Sequence, residues 1–298
     1  MSELRLLETI HPTREGMKEF GALFGIDSIK EALVDELALI LDRKRLDAWA
    51  QRHHAKGLGV LDIARSTLPL ILLSGDVGCG KTALASCVAT PVARAIDQRI
   101  VGLETPSDIR GGGHVGELSA RITEAFTQAK ARAAAIGRGI LVIDEADDLA
   151  TGRSQMQAHH EDRAGVNVLI KQINQLPASA APIALIMITN RADVLDPAVI
   201  RRAVLRLTFE RPNEKARFAV FQRILQGATA TDAQILELAK LTEHNIPYTY
   251  SDLTDRIAGL ALRRAWKSNQ PFGAASLKAA IAEIEPSPTI HRRVGSGP

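Results

Sequence analysis

"LPLILLSGDVGCGKTAL", residues 68–84, decides the fold. An apolar run over 68–74 has the length and Leu/Ile content of a buried strand, then breaks into a glycine-rich bend that opens a helix. Gly75, Gly78 and Gly80 free the backbone to curl until several N–H groups point inward, and Lys81 with Thr82 completes a GxxxxGKT spacing. Such a bend is a phosphate cradle. Gly75, Asp76, Val77, Gly78, Cys79, Gly80 and, in the first helical turn, Ala83 surround the anion with amides and a helix N-terminus. Lys81 reaches the outer phosphates, and the Thr82 hydroxyl ligates magnesium. A nucleotide is the ligand this pattern predicts.

Outward from that stretch, short Val/Ile/Leu-rich runs alternate with helical patterns, which predicts an α/β fold with a parallel sheet covered on both faces. The strand candidates are 68–74, 98–104, 139–144, 182–189 and 204–210, and the helices between them fill 82–96, 117–136 and 161–176. Upstream, "DSIKEALVDELALILDRKRLDAWAQRHH" carries apolar residues at helical spacing and is expected to lie against the sheet. After "ERPNE" at 210–214 the strands stop, and four helical patterns over 213–226, 231–243, 251–268 and 274–284 predict a small helical bundle. The expected organisation is an α/β domain over 1–212, a helical domain over 213–285 and a loose Pro/Ser/Gly tail over 286–298.

The 298 residues suffice for a sizeable core. A net charge of +3, from 37 Lys and Arg against 34 Asp and Glu, is too slight for a nucleic-acid coat. Only Cys79 and Cys87 are present, which argues for a reducing compartment rather than a disulfide scaffold. No membrane-length apolar stretch and no signal-peptide core stand out, so the expected location is the cytoplasm.

Hydrolysis needs more than a cradle: a metal partner, a water activator and a cation for the charge that develops on the transferred phosphoryl group. "ILVIDEADDL" ends an apolar strand in Asp144 and Glu145. Asp144 is the candidate for the Mg2+ shell and Glu145 for the general base, while Asp147 and Asp148 are candidates to cap the next helix. Asn190, at the end of "IALIMITN", is placed to orient the lytic water. Arg201 and Arg202 sit together before the last strand, and a planar, permanently charged guanidinium suits an arginine finger acting on a neighbouring subunit's nucleotide. On "SDLTDRIAGLALRRAWK", Leu253, Ile257, Leu260 and Ala261 form an apolar stripe, with Arg256 beside it and placed to contact phosphates.

Together these stretches resemble the AAA+ ATPases, ring-forming ATP-driven machines. The resemblance runs over nearly the whole chain, from "FGALFGIDSIKEAL" to the helix carrying Arg256. Walker A is "GDVGCGKT", Walker B is "LVIDEAD", sensor 1 is "ITN", the finger region is "LDPAVIRRAV" and sensor 2 lies in "YSDLTDR". It implies a five-stranded parallel sheet flanked by helices, a small all-helical lid, and an adenine pocket lined by Phe24, Gly25 and Ile26. "HVGELSARITEAF" and "VNVLIKQINQL" are similar to the pachytene-checkpoint branch, whose members remodel HORMA-domain proteins. Short bacterial relatives belong to cyclic-oligonucleotide anti-phage (CBASS) operons. The resemblance therefore implies a homohexamer that takes apart a HORMA protein bound to a cGAS-like nucleotidyltransferase. It places a central-pore loop at "SDIRGGGHVGE", where Arg110, Gly112, Gly113, His114 and Val115 stand in place of the usual aromatic residue. Of the two adjacent arginines, Arg202 is the position carried over as finger.

A second reading stays open, that of a nucleic-acid-handling AAA+ protein such as a helicase or clamp loader. The clusters Arg43, Lys44, Arg45 and Arg263, Arg264, Lys267, with Arg292 and Arg293, speak for it. Their dispersal and the 4% aromatic content speak against it. A nucleotide-dependent scaffold with little turnover is a third, opposed by the presence of Glu145 and Asn190. A loop with His159, His160, Glu161 and Asp162 reads as a solvated segment rather than a metal site.

Overall fold

The computed structural model describes residues 4–54, 57–107, 109, 116–149 and 160–289. The pore-loop candidates Arg110, Gly112, Gly113, His114 and Val115 lie outside the described residues, as does His159. Two compact units emerge: Met1–Ala22, Ser28–Ser74 and Thr82–Thr208 form the first, and Leu23–Asp27, Gly75–Lys81 and Phe209–Pro298 the second.

In the first half of the chain run β1 (Leu7–His11), α1 (Arg14–Ala22), α2 (Asp27–Leu41), α3 (Arg43–His53), α4 (Val60–Ser66), β2 (Leu70–Gly75), α5 (Lys81–Cys87), α6 (Ala89–Ala95), β3 (Ile100–Glu104) and α7 (Glu117–Ile136). There follow β4 (Gly139–Ile143), α8 (Ala146–Leu149), α9 (His160–Gln175), β5 (Ile183–Thr189), α10 (Pro197–Ile200) and β6 (Ala203–Phe209). The strands form one sheet in the order β1-β3-β4-β5-β2-β6. β3, β4, β5 and β2 run parallel to one another, and β4 and β5 are buried along their whole length, which is why they read as unbroken apolar runs.

Among the described residues the sheet has six strands rather than five, and it is mixed: β1 pairs antiparallel with β3. β1 escaped the sequence reading because its first residues, Leu7, Glu8 and Thr9, are all exposed and show no inward-outward alternation. Backbone pairing with β3 and a Glu8–Arg132 ion pair hold this edge strand. The helix expected over 82–96 is two helices, α5 ending at Cys87 and α6 starting at Ala89. Pro91 has no N–H to give the Cys87 carbonyl four residues back, which ends the first helix there. The first unit's core joins Phe126 and Ala129 of α7 and Leu169 and Ile173 of α9 to Leu141, Leu185 and Met187 of the sheet.

The second unit holds α11 (Glu214–Ile224), α12 (Asp232–Leu241), a π-helical turn Asp252–Ile257 that leads into α13 (Ala258–Lys267), and α14 (Ala274–Ile281). Asn213 caps α11, and Thr231 with Gln234 forms a capping box on α12. Its core gathers Phe221, Leu238, Tyr248, Leu253, Ile257, Ala261 and Leu277, so the stripe read from the sequence is buried, with Leu260 partly so. The segment expected to be loose is held at its start: the Ser287 N–H and Oγ donate to the buried Asp252 carboxylate at 3.0 and 2.7 Å.

Burial acts to raise the Asp252 carboxyl, but hydrogen bonds from Ser287, Thr249 and Arg256 outweigh it and bring it down to about 2. A lowered carboxyl stabilises the fold fully above its unfolded-state value near pH 4, and that contribution disappears as pH falls from about 4 to about 2. The stability gap between the wild type and Asp252→Asn should therefore shrink by about 2 kcal/mol across that window. Urea unfolding followed by helical circular dichroism reads it, and a gap independent of pH contradicts it.

Candidate nucleotide site

In the first unit, β5 lies between β2 and β4, and the registers set Ser74 opposite Thr189 and Ile143 opposite Met187. The C-terminal ends of these three strands thus share one edge of the sheet, where open parallel sheets bind ligands. Asp144 and Glu145 follow β4, Asn190 follows β5, and Thr82 stands in the first turn of α5. The Thr82 hydroxyl donates to Asp144 Oδ2 at 2.7 Å, while Asp144 Oδ1 accepts the Glu145 N–H at 2.7 Å. Two hard oxygen donors from separate elements are thereby in contact, the pairing that a Mg2+ shell uses. Glu145 is exposed, and its backbone is left-handed, with φ +51°. A non-glycine residue held there carries strain, and such strain concentrates at functional positions.

Asp147, expected as a helix cap, accepts the hydroxyl of the fully buried Thr189 at 2.8 Å. Thr189 Oγ1 in turn accepts the Arg191 N–H at 2.9 Å. The first bond ties the end of β5 to α8, and the second closes the backbone across the half-buried Asn190. Asp196 caps α10 through the Ala198 N–H. At the end of that helix the two arginines differ: Arg201 is exposed and donates to the Pro197 carbonyl, whereas Arg202 donates to Asn174 Oδ1 at 3.0 Å and to the Ala198 carbonyl at 2.7 Å.

In the second unit, the loop Gly75–Lys81 is drawn tight by its own lysine. Lys81 Nζ, nearly inaccessible, donates to the carbonyls of Gly75 at 2.9 Å and Asp76 at 2.6 Å. Gly75 has φ +136°, and a Cβ there would lie 2.1 Å from the Phe209 carbonyl oxygen, so no other residue fits. Gly78, at φ +73°, offers its carbonyl to the Ser251 N–H at 3.1 Å. Val77 is exposed; Cys79 is buried, and burial pushes its thiol up to about 11, which keeps it neutral and unreactive. Cys87 is buried as well, its thiol pushed up to about 12.

The adenine-pocket candidates are part of this unit. The Gly25 carbonyl accepts the Tyr250 hydroxyl at 3.2 Å, Ile26 is buried, and the Arg223 guanidinium lies 5.6 Å above the Phe24 ring. Arg256 donates to Asp252 Oδ1 at 2.6 Å, to the Glu285 carbonyl at 3.1 Å and to Ser287 Oγ at 3.2 Å. The guanidinium expected at phosphates is thus oriented by an acid one turn earlier and by the C-terminal segment.

Thr189 and Arg211 escaped the sequence reading: their partners Asp147 and Asp76 lie 42 and 135 residues away, and no local spacing announces them. Asp252 was discoverable, because it stands at i−4 to Arg256 on a helical segment. Among the described residues no group of three His, Cys, Asp or Glu side chains could hold a metal, and no helix is long and apolar enough to cross a membrane.

Residues 71–211 match the family described as "ATPase family associated with various cellular activities (AAA)". The chain is 36% identical over 259 residues to CD-NTase-associated protein 6 of Escherichia coli strain KTE188, covering 86% of this chain and 87% of that one. Against the protein of the same name from Escherichia coli strain MS 115-1 the identity is 36% over 289 residues, with 92% and 90% covered. Among solved structures, a chain in the structure of the E. coli MS115-1 HORMA:CdnC:Trip13 complex superposes with a TM-score of 0.88 at 34% identity, covering 97% of this chain and 98% of that one. The structure of Rhizobiales Trip13 matches at a TM-score of 0.72 and 33% identity, with 95% and 98% covered. The phosphate loop, the Thr82–Asp144 contact and the placement of β5 between its neighbours therefore belong to a known machine type: by sequence and fold alike, this chain is an ATPase of the AAA family, in the branch of CD-NTase-associated protein 6 and Trip13.

Proposed function

We propose that this ATPase works as a homohexameric ring in the cytoplasm, where ATP hydrolysis takes apart a HORMA-domain protein bound to a cGAS-like nucleotidyltransferase and so damps CBASS second-messenger signalling. The observation that carries this reading is the likeness, over almost the full length of both chains, to the subunit found in the HORMA:CdnC:Trip13 complex.

The chain's residues divide the work of hydrolysis. The phosphate-loop amides and Lys81 bind the phosphates; Glu145 takes a proton from the attacking water, and Asn190, which follows β5, orients that water. Thr82 and Asp144 would hold Mg2+, which neutralises charge on the phosphates. A heterologous interface that closes into a ring brings each Arg202 to the next subunit's ATP. The pore loop with Arg110, Gly112, Gly113, His114 and Val115 grips an extended segment of the HORMA protein. Pulling on that segment switches a fold whose two states differ by a modest free energy.

The nucleic-acid reading is not favoured. Beyond the relatives found, Arg43 and Arg45 donate to the Pro177 and Ala95 carbonyls, and Arg264 is paired with Glu283. The two readings separate in one assay: ATP turnover with the HORMA–nucleotidyltransferase complex, and with single- and double-stranded DNA. Stimulation by the protein complex is expected. Stimulation by DNA alone, falling steeply with salt, contradicts the proposal.

A further inference from the structure

We propose that Arg211 is a positioning residue for ATP binding, which sets the phosphate loop through Asp76 and makes the C-terminal segment around Ser287 part of the loop's support. The inference rests on the nucleotide reading of the phosphate loop.

The Arg211 side chain is almost wholly buried, yet four of its N–H bonds find acceptors. Nε donates to Asp76 Oδ2 at 2.7 Å; one terminal nitrogen donates to the carbonyls of Pro247 at 2.6 Å and Ser287 at 2.7 Å, and the other to that of Pro288 at 2.9 Å. A planar fork in fixed geometry thus clamps three stretches far apart in sequence, which a lysine's point charge cannot reproduce.

Asp76 is the link to the chemistry. Its carboxylate is held by Arg211, and its main-chain carbonyl accepts Lys81 Nζ at 2.6 Å. The peptide that seats the phosphate-binding lysine is therefore fixed from its other side by Arg211. The C-terminal end of the clamp is itself fixed, because Ser287 donates twice to Asp252, the residue that also orients Arg256. The segment Glu285–Pro288 consequently contacts both Arg211 and Arg256.

A purely structural clamp and a positioning clamp differ in what they move. If Arg211 only fastens the C-terminal segment, its loss lowers the melting temperature and leaves nucleotide affinity alone. If it positions the loop, Arg211→Ala raises KM for ATP about 10-fold with kcat within about 3-fold, the loss expected for one charge-assisted hydrogen bond. Arg211→Lys should recover only part of that loss. Asp76→Asn leaves the carbonyl contacts of Arg211 in place and weakens the ion pair, so it keeps the test open if Arg211→Ala does not fold. It should raise KM in the same direction, and the double variant should bind no worse than Arg211→Ala alone.

The experiment is ATP turnover and binding of a fluorescent ADP analogue by the full-length chain, with Lys81→Ala alongside. Loss of binding in Lys81→Ala with raised KM in Asp76→Asn and Arg211→Ala supports the proposal. Loss in Lys81→Ala with wild-type KM in the other two overturns it and leaves the nucleotide reading standing. Wild-type binding by Lys81→Ala overturns both.

Discussion

Replacing Glu145 by Gln is expected to lower ATP turnover by roughly 100- to 10000-fold, the range for loss of a general base, while leaving nucleotide affinity within a few fold. The separation of the two effects follows from the geometry. Glu145 meets Asp144 through its main-chain N–H, which the substitution keeps, so the Asp144–Thr82 contact is undisturbed. The side chain is exposed beyond the end of β4, and glutamine preserves its shape and its left-handed backbone while removing the basic carboxylate. Phosphate release and binding of a fluorescent ATP analogue read the two quantities separately. Turnover within about 3-fold of wild type removes Glu145 from the role of base.

Arg202→Ala is expected to cost roughly 1000-fold or more in turnover, the range measured for arginine fingers, with nucleotide still bound. Arg201→Ala should cost far less. Arg202 is tethered by Asn174 and the Ala198 carbonyl, so its fork is pre-oriented, whereas Arg201 is exposed and has a single bond to its own helix. In the proposed ring the finger reaches the next subunit's nucleotide, which gives the prediction a second arm: mixing inactive Arg202→Ala with inactive Lys81→Ala should restore part of the activity. Some interfaces in the mixed ring then unite an intact phosphate loop with an intact Arg202. A finger acting within its own subunit gives no recovery.

What the sequence disclosed and what it withheld divide along physical lines. β2, β4 and β5 are buried on both faces, so nothing polar interrupts them and their ends were visible to within two residues. β1 is an exposed edge strand held by backbone pairing, and backbone pairing leaves no periodic trace in side chains. The π-helical turn at Asp252–Ile257 adds less than a residue to the helical period, too little to disturb the stripe of Leu253, Ile257 and Ala261. In the site, the groups that follow strand ends were legible because the phosphate loop fixes which strands matter. The groups that hold them, Thr189 with Asp147 and Arg211 with Asp76, were not, because folding alone brings them together.

In the proposed function, hydrolysis drives disassembly. Its most direct test is gel filtration of a preformed HORMA–nucleotidyltransferase complex after incubation with ATP and either wild-type protein or Glu145→Gln. The complex is expected to be lost with the wild type and to persist with Glu145→Gln. A complex that falls apart equally with Glu145→Gln, or that survives the wild type while ATP is consumed, contradicts it.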